Sequence, residues 1–379
     1  MSFPQKVVLA GSAWPLRGGL AAFNERIISE YLSEGCQAVI YTFSLQYPSL
    51  LFPGKTQYSS DPSPAGLDIK VRMNSVNPFN WIIVGREIAK LKPDLLIVKY
   101  WMPFMAPCLG SICRIVRKNG HTRVVSIIDN IIPHERRIGD RALSAYFVRS
   151  VDGFVAMSRS VLNDLESFDG IRPKVYCPHP LYDNFGKIIP KHEARKALGL
   201  DPQGKYALFF GFIRDYKGLD LLLHAFGIQA LRDSGIRLIV AGEFYSNPEP
   251  YLSIIREKGL QDIVIMSNDF IPDSLVSSYF CSADVVVQPY KSATQSGVTQ
   301  IAYHFEKPMI ITDVGGLAEF VPHGKVGFVV DAGPEAIASA ILEFYANNLE
   351  AEFSANASME KQKYSWGNMI RAVNSAAGF

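Results

Sequence analysis

The chain has 379 residues, roughly twice a typical domain length, of which 48% are hydrophobic and 20% charged, with a formal net charge of +2. That composition excludes a disordered or strongly acidic chain, and the mild basicity falls far short of the stripe that binds nucleic acid. It suits anionic small molecules and a weak contact with a membrane surface.

The opening MSFPQKVVLAGSAWP carries an apolar run too short for a signal peptide. No uninterrupted stretch of about 18 apolar residues follows. The most apolar zone, LLIVKYWMPFMAPCLGSI at 95–112, is broken by Lys99, Pro103 and Pro107. Cys36, Cys108, Cys113, Cys177 and Cys281 form no CxxC pair and no metal-binding spacing. They read as single buried thiols in a reducing compartment. The expectation is a cytoplasmic protein, soluble or peripheral at the inner face of a membrane.

In chain order, strands are expected at 6–11, 38–43, 94–99, 123–128, 153–157 and 174–178. They recur at 206–211, 236–242, 262–266, 284–289, 308–312 and 327–330, with helical patterns between most of them. Continuous Val/Ile/Leu runs mark strands buried on both faces, as parallel sheets require. The fold class is therefore α/β, with two Rossmann-like, doubly wound parallel-sheet domains. The turn-rich stretch HPLYDNFGKIIPKHE at 179–193 sets the divide. The expected domains are 1–182 and 183–358. A C-terminal helix at 359–379 packs back on the first domain. Ligands of open α/β sheets bind at the carboxyl ends of the strands, so a cleft between the domains is the expected site.

In GFIRDYKGLDLLLHAF (211–226), Arg214 and Lys217 stand at a strand tip beside a helix start, where free N–H groups already favour an anion. Two solvated surface cations are the plain alternative. The stretch DVVVQPYKSATQSGVTQIAYHFEKPMIITDVGG (284–316) sets Thr294, Gln295, Ser296 and Gly297 at a second helix start. Val298, Ile301, Ala302 and Phe305 form that helix's buried face. Ser296, Thr299 and Gln300 are expected to point away from it. Hydroxyls and amides there make a neutral phosphate cradle, and Gln side chains suit sugar hydroxyls. Ordinary N-capping explains the hydroxyls as well. In the first domain, Gly18 and Gly19 let backbone approach a ligand, without spelling a nicotinamide fingerprint. The loop DNIIPHERRIGDR (129–141) gathers Asp129, Asn130, His134 and Glu135, and a solvated charged loop is the alternative.

These pieces resemble retaining nucleotide-sugar glycosyltransferases of the GT-B fold, of the group 1 or family 4 type. The likeness spans the second domain, through the YKG at 216–218, IRLIVAGE (236–243), SADVVVQP (282–289) and KPMIITDVGGLAEFV (307–321). It implies a sugar transfer from a nucleoside diphosphate to a glycan or lipid-linked acceptor hydroxyl, with no cofactor beyond the nucleotide sugar. Lys217 then grips the diphosphate. The family's arginine usually follows the strand glycine directly, where Phe212 stands here, so Arg214 is a displaced candidate. The histidine that relatives place at the end of the strand at 123–128 aligns with Ile128. Asp129 matches the acid after it, and His134 is the displaced histidine. Two glutamates that relatives carry in the 284–316 stretch are missing, since Glu306 is the single carboxylate between Asp284 and Asp313. With no Asp-x-Asp pair in the chain, a metal-bridged diphosphate is not expected.

A nucleotide-sugar epimerase of the same fold, or a non-catalytic sugar- or partner-binding module, stays open at this point. So does the surface of WIIVGREIAKLK (81–92) and ICRIVRK (112–118). It fits an anionic membrane, and equally a core-facing helix with a wet basic side.

Overall fold

The computed structural model describes residues 3–48, 56–59, 62–133, 137–293 and 296–379. The candidates His134, Thr294 and Gln295 lie outside the described residues. The chain divides into two units, Met1–Pro180 with Tyr364–Phe379, and Leu181–Lys363. The sequence divisions at 182/183 and 358/359 thus differ from those of the structure, at 180/181 and 363/364.

The first unit holds β1 (Lys6–Ala10), β2 (Gln37–Leu45), β3 (Ile69–Asn74), β4 (Leu95–Tyr100), β5 (Arg123–Ile128), β6 (Gly153–Ala156) and β7 (Lys174–Tyr176). They form a parallel sheet in the order β3-β2-β1-β4-β5-β6-β7. The second unit holds β8 (Lys205–Phe210), β9 (Ile236–Ala241), β10 (Val264–Ser267), β11 (Val285–Gln288), β12 (Met309–Thr312) and β13 (Gly327–Val330). Their parallel order is β10-β9-β8-β11-β12-β13. Central strands are buried on both faces: Val7 through Ala10 and Val285 through Val287 are all buried. Winding direction reverses between β1 and β4 in one sheet and between β8 and β11 in the other. Those reversals open a crevice at the strands' carboxyl ends.

The edge strand β3 has no counterpart among the expected strands. Its Lys70, Val71 and Arg72 lie outside the core and only Met73 is fully buried. Charge on an edge strand guards against pairing with other chains, and it also hides the strand from a search for apolar runs.

The C-terminal segment, expected as one helix over 359–379, is split. One helix ends at Glu360, a 3-10 turn spans Lys361–Tyr364, and a second helix spans Trp366–Ala377. Ser365 caps the second, its hydroxyl accepting from the Asn368 N–H at 3.3 Å. Trp366, Met369, Ile370 and Val373 are its buried stripe. The Tyr31 hydroxyl donates to Asn374 Oδ1 at 2.8 Å, and Phe23 meets Trp366 edge-on at 5.0 Å. At β6 the contact is closest, since a Cβ on Gly153 would lie 2.3 Å from the Ala376 carbonyl oxygen. Gly153→Ala is therefore expected to cost about 1–3 kcal/mol through overpacking, read by urea unfolding. Unchanged stability would contradict this docking of the helix.

Candidate functional site

In the second unit, β8 gives way to a loop whose Gly211 and Ile213 N–H groups donate to Ala241 and Glu243 carbonyls at 2.9 and 2.8 Å. The loop thus stays hydrogen-bonded along the tip of β9. A 3-10 turn follows over Asp215–Lys217, and Gly218 ends it at φ 67°. A Cβ on Gly218 would sit 1.9 Å from the Pro289 carbonyl oxygen. Both the left-handed backbone and the close approach therefore demand glycine. The turn is pinned to the segment after β11 by the Lys291 N–H, which donates to the Tyr216 carbonyl at 2.7 Å. Beyond it, the helix Leu219–Phe226 buries Leu219, Leu222, Leu223 and Phe226.

This scaffold sets Lys217 at the reversal between β8 and β11. Only 9% of the residue is exposed. Its ammonium lies 5.6 Å from the centre of the Tyr290 ring, and a Cβ on Gly211 would be 2.9 Å from it. Among the described residues no carboxylate pairs with it. Asp215 and Asp220 are both taken by Lys291, at 2.7 and 2.9 Å. Burial, and then the charge of Arg214, lower the Lys217 pKa to about 7. Arg214 is exposed, with its guanidinium 4.5 Å from the centre of the Tyr245 ring. Phe212, in the family arginine's usual place, packs on Tyr245 at 4.4 Å and toward Phe270 at 6.1 Å.

On the other side of the reversal, the Ser296 hydroxyl caps the helix Gly297–His304 by accepting from the Val298 N–H at 3.2 Å. Tyr290 Oη shares a hydrogen bond of 3.1 Å with it. Gly297 is packed against Tyr182, and a Cβ there would lie 2.9 Å from the ring. The expectation that Thr299 and Gln300 face away from the buried side is corrected here, because both are buried. The Thr299 hydroxyl donates to Gln288 Oε1 at 3.0 Å at the tip of β11. Gln288 Nε2 and Gln300 Oε1 are buried without a hydrogen-bond partner among the described residues. Glu306 stands in the turn just past the end of that helix, at φ 54°. Its carboxylate accepts from Lys361 at 2.6 Å and Ser358 at 2.8 Å, which holds its pKa down. It is a structural acid.

In the first unit, Gly18 caps the helix Gly19–Ser33 at φ 100°, a conformation suited to glycine. Gly19 opens that helix. Asp129 follows β5, and its carboxylate pairs with the fully buried Lys99 of β4 at 3.1 Å. The Lys99 ammonium also lies 3.2 Å from the centre of the Phe23 ring. His179 meets the same ring edge-on at 5.2 Å, and burial with the nearby Lys99 charge lowers its pKa to about 3. Its ring is neutral at physiological pH. Lys99, His179 and Tyr290 were not singled out from sequence. A lysine inside the apolar run LLIVKY was the one available signal for the first.

Residues 204–347 match the family model described as glycosyl transferases group 1. D-inositol 3-phosphate glycosyltransferase of Corynebacterium urealyticum is 28% identical over 259 residues, covering 65% of this chain and 60% of that protein. The chain spans less than two thirds of the length of the first curated relatives it matches. Among solved structures, sucrose-phosphate synthase from Thermosynechococcus elongatus superposes with a TM-score of 0.76 at 15% identity, covering 98% of each chain. Anabaena HepE in complex with UDP gives 0.75 at 15% identity, covering 98% of this chain and 99% of that one. The fold is GT-B.

The Lys99–Asp129 pair yields a stability prediction. Lys99→Met strands a carboxylate beside Phe23 and should cost about 3–5 kcal/mol in urea unfolding. Adding Asp129→Asn should recover part of that loss. A double variant no more stable than the single one would contradict the pairing.

Proposed function

We propose that this chain moves a sugar from a nucleoside-diphosphate donor to an acceptor hydroxyl with retention of configuration, a reading supported by the match of residues 204–347 to the group 1 glycosyl transferase model. The setting is glycan, polysaccharide or glycolipid assembly. One observation carries the reading: the buried Lys217 side chain at the β8/β11 reversal, paired with no carboxylate among the described residues. A site that holds a cation out of water without an anion is built for an anionic ligand. That HepE, a protein of the same fold, is solved in complex with UDP supports the choice of ligand.

In this reading the diphosphate lies against Lys217, Arg214 and the helix start at Ser296 and Gly297, with Thr294 and Gln295 beside it. Gln300, with its unmet Oε1, receives donor hydroxyls in place of the family's glutamates. The bond from the anomeric carbon to the diphosphate oxygen breaks, and its electron pair stays on the diphosphate. The acceptor oxygen bonds to that carbon from the same face and passes its proton to the departing phosphate. Charge developing on the leaving group meets preorganised cations and amides, the arrangement that usually contributes most to catalysis. Gly18 and Gly19 admit the donor closely, and Asp129 and His134 orient the acceptor. No metal is assigned a role, because the cations already neutralise the diphosphate.

Calorimetry with UDP-, GDP- and ADP-sugars tests the assignment. Lys217→Ala and Arg214→Ala should each weaken binding of the preferred donor by about 1.5–3 kcal/mol, the range for hydrogen bonds to charged groups. Turnover followed by proton NMR should keep the anomeric configuration and survive EDTA. Unchanged affinity in both variants would refute the diphosphate site.

A further inference from the structure

The helix Pro78–Leu91 in the first unit is anchored by one side alone. Val84, Gly85 and Ile88 are its buried residues, and a Cβ on Gly85 would meet Ile115 at 3.0 Å. Asn77 caps its start by accepting from the Phe79 and Asn80 N–H groups, and the Trp81 indole donates to the Asn74 carbonyl at 2.8 Å. Its other side presents Phe79, Ile82 and Ile83, which are 79%, 41% and 63% exposed, with Val76 just ahead of them at 45%. Positions 79, 82, 83, 86 and 90 share one helical face, so exposed Arg86 and Lys90 continue the apolar stripe. Large apolar side chains exposed together along one face mark an interaction site.

The charge around this face selects the partner. Residues 70–92 hold five cations and one carboxylate, Glu87. That carboxylate is engaged by Arg72 at 3.5 Å and by the Tyr41 hydroxyl at 3.0 Å. The neighbouring basic run at 112–118 contributes less than its sequence implies. Arg114 lies over the Tyr146 ring at 3.6 Å, and Arg117 pairs with Asp152 at 2.7 Å.

We propose that this face docks on an anionic lipid surface. The helix lies flat, with Phe79 and Ile83 in the acyl boundary and the Arg86 and Lys90 stems reaching the headgroups. The proposal stands independently of the sugar-transfer reading, since its test uses no donor.

The full chain is sedimented with vesicles of phosphatidylcholine alone, and with vesicles in which about a third of the lipid is phosphatidylglycerol. It should sediment with the second kind only, and be released at about 0.5 M salt. Phe79→Ser with Ile83→Ser should lower the bound fraction about tenfold or more without changing the thermal melt, as these side chains contribute nothing to the core. Arg86→Glu with Lys90→Glu should do the same. Wild-type protein that ignores both vesicles, or variants that bind as it does, would overturn the proposal. So would a solution dimer that the serine variant splits, for that would assign the face to a second copy of the chain.

Discussion

A lysine held out of water, with no carboxylate paired to it among the described residues, is the constraint around which the second unit is organised. Removing a charge from water is costly, and the protein can lower that cost either by pairing the charge or by letting the group lose its proton. Here the second route operates, and the pKa of Lys217 falls to about 7. The local backbone enforces it. Gly218 brings the turn against Pro289, and Lys217, the residue before it, is buried there. Asp215 and Asp220, which flank Lys217 in sequence, are both paired with Lys291.

The first unit contains the compensated version of the same element. Lys99 is as deeply buried, and its pKa is also lowered by burial, but Asp129 pulls it back up and the Phe23 ring covers the ammonium. Both lysines stand at the winding reversal of a parallel sheet, where this architecture places ligands. One is an ion pair whose removal is expected to register in stability. The other awaits a partner, and its removal is expected to register in binding. The arithmetic of surrounding carboxylates separates the two roles.

Most of the architecture was legible because buried parallel strands leave a strong imprint, unbroken runs such as KVVLA and DVVVQ. β3 escaped because an edge strand needs no such run. Around the site, the place of Arg214 and Lys217 between a strand and a helix was readable. Side-chain direction was not. Gln300 looked polar and therefore outward, whereas tertiary packing buried it beside Thr299 and Gln288. Glu306 shows the reverse: the one carboxylate of the stretch lies past the helix end, and its pairing with Lys361 accounts for the acid there. Lys99 and Asp129 lie thirty positions apart, and only strand order brings them together.

The most direct test is the proton balance of donor binding. In the free protein Lys217 is largely neutral above pH 7, while a bound diphosphate would raise its pKa and draw in a proton. Calorimetry of the preferred nucleotide sugar, in buffers of different ionisation enthalpy near pH 8, should show net proton uptake. Affinity should hold below about pH 7 and fall as pH rises beyond it, a dependence absent from Lys217→Met. Binding that takes up no proton and ignores pH across this range would contradict the account.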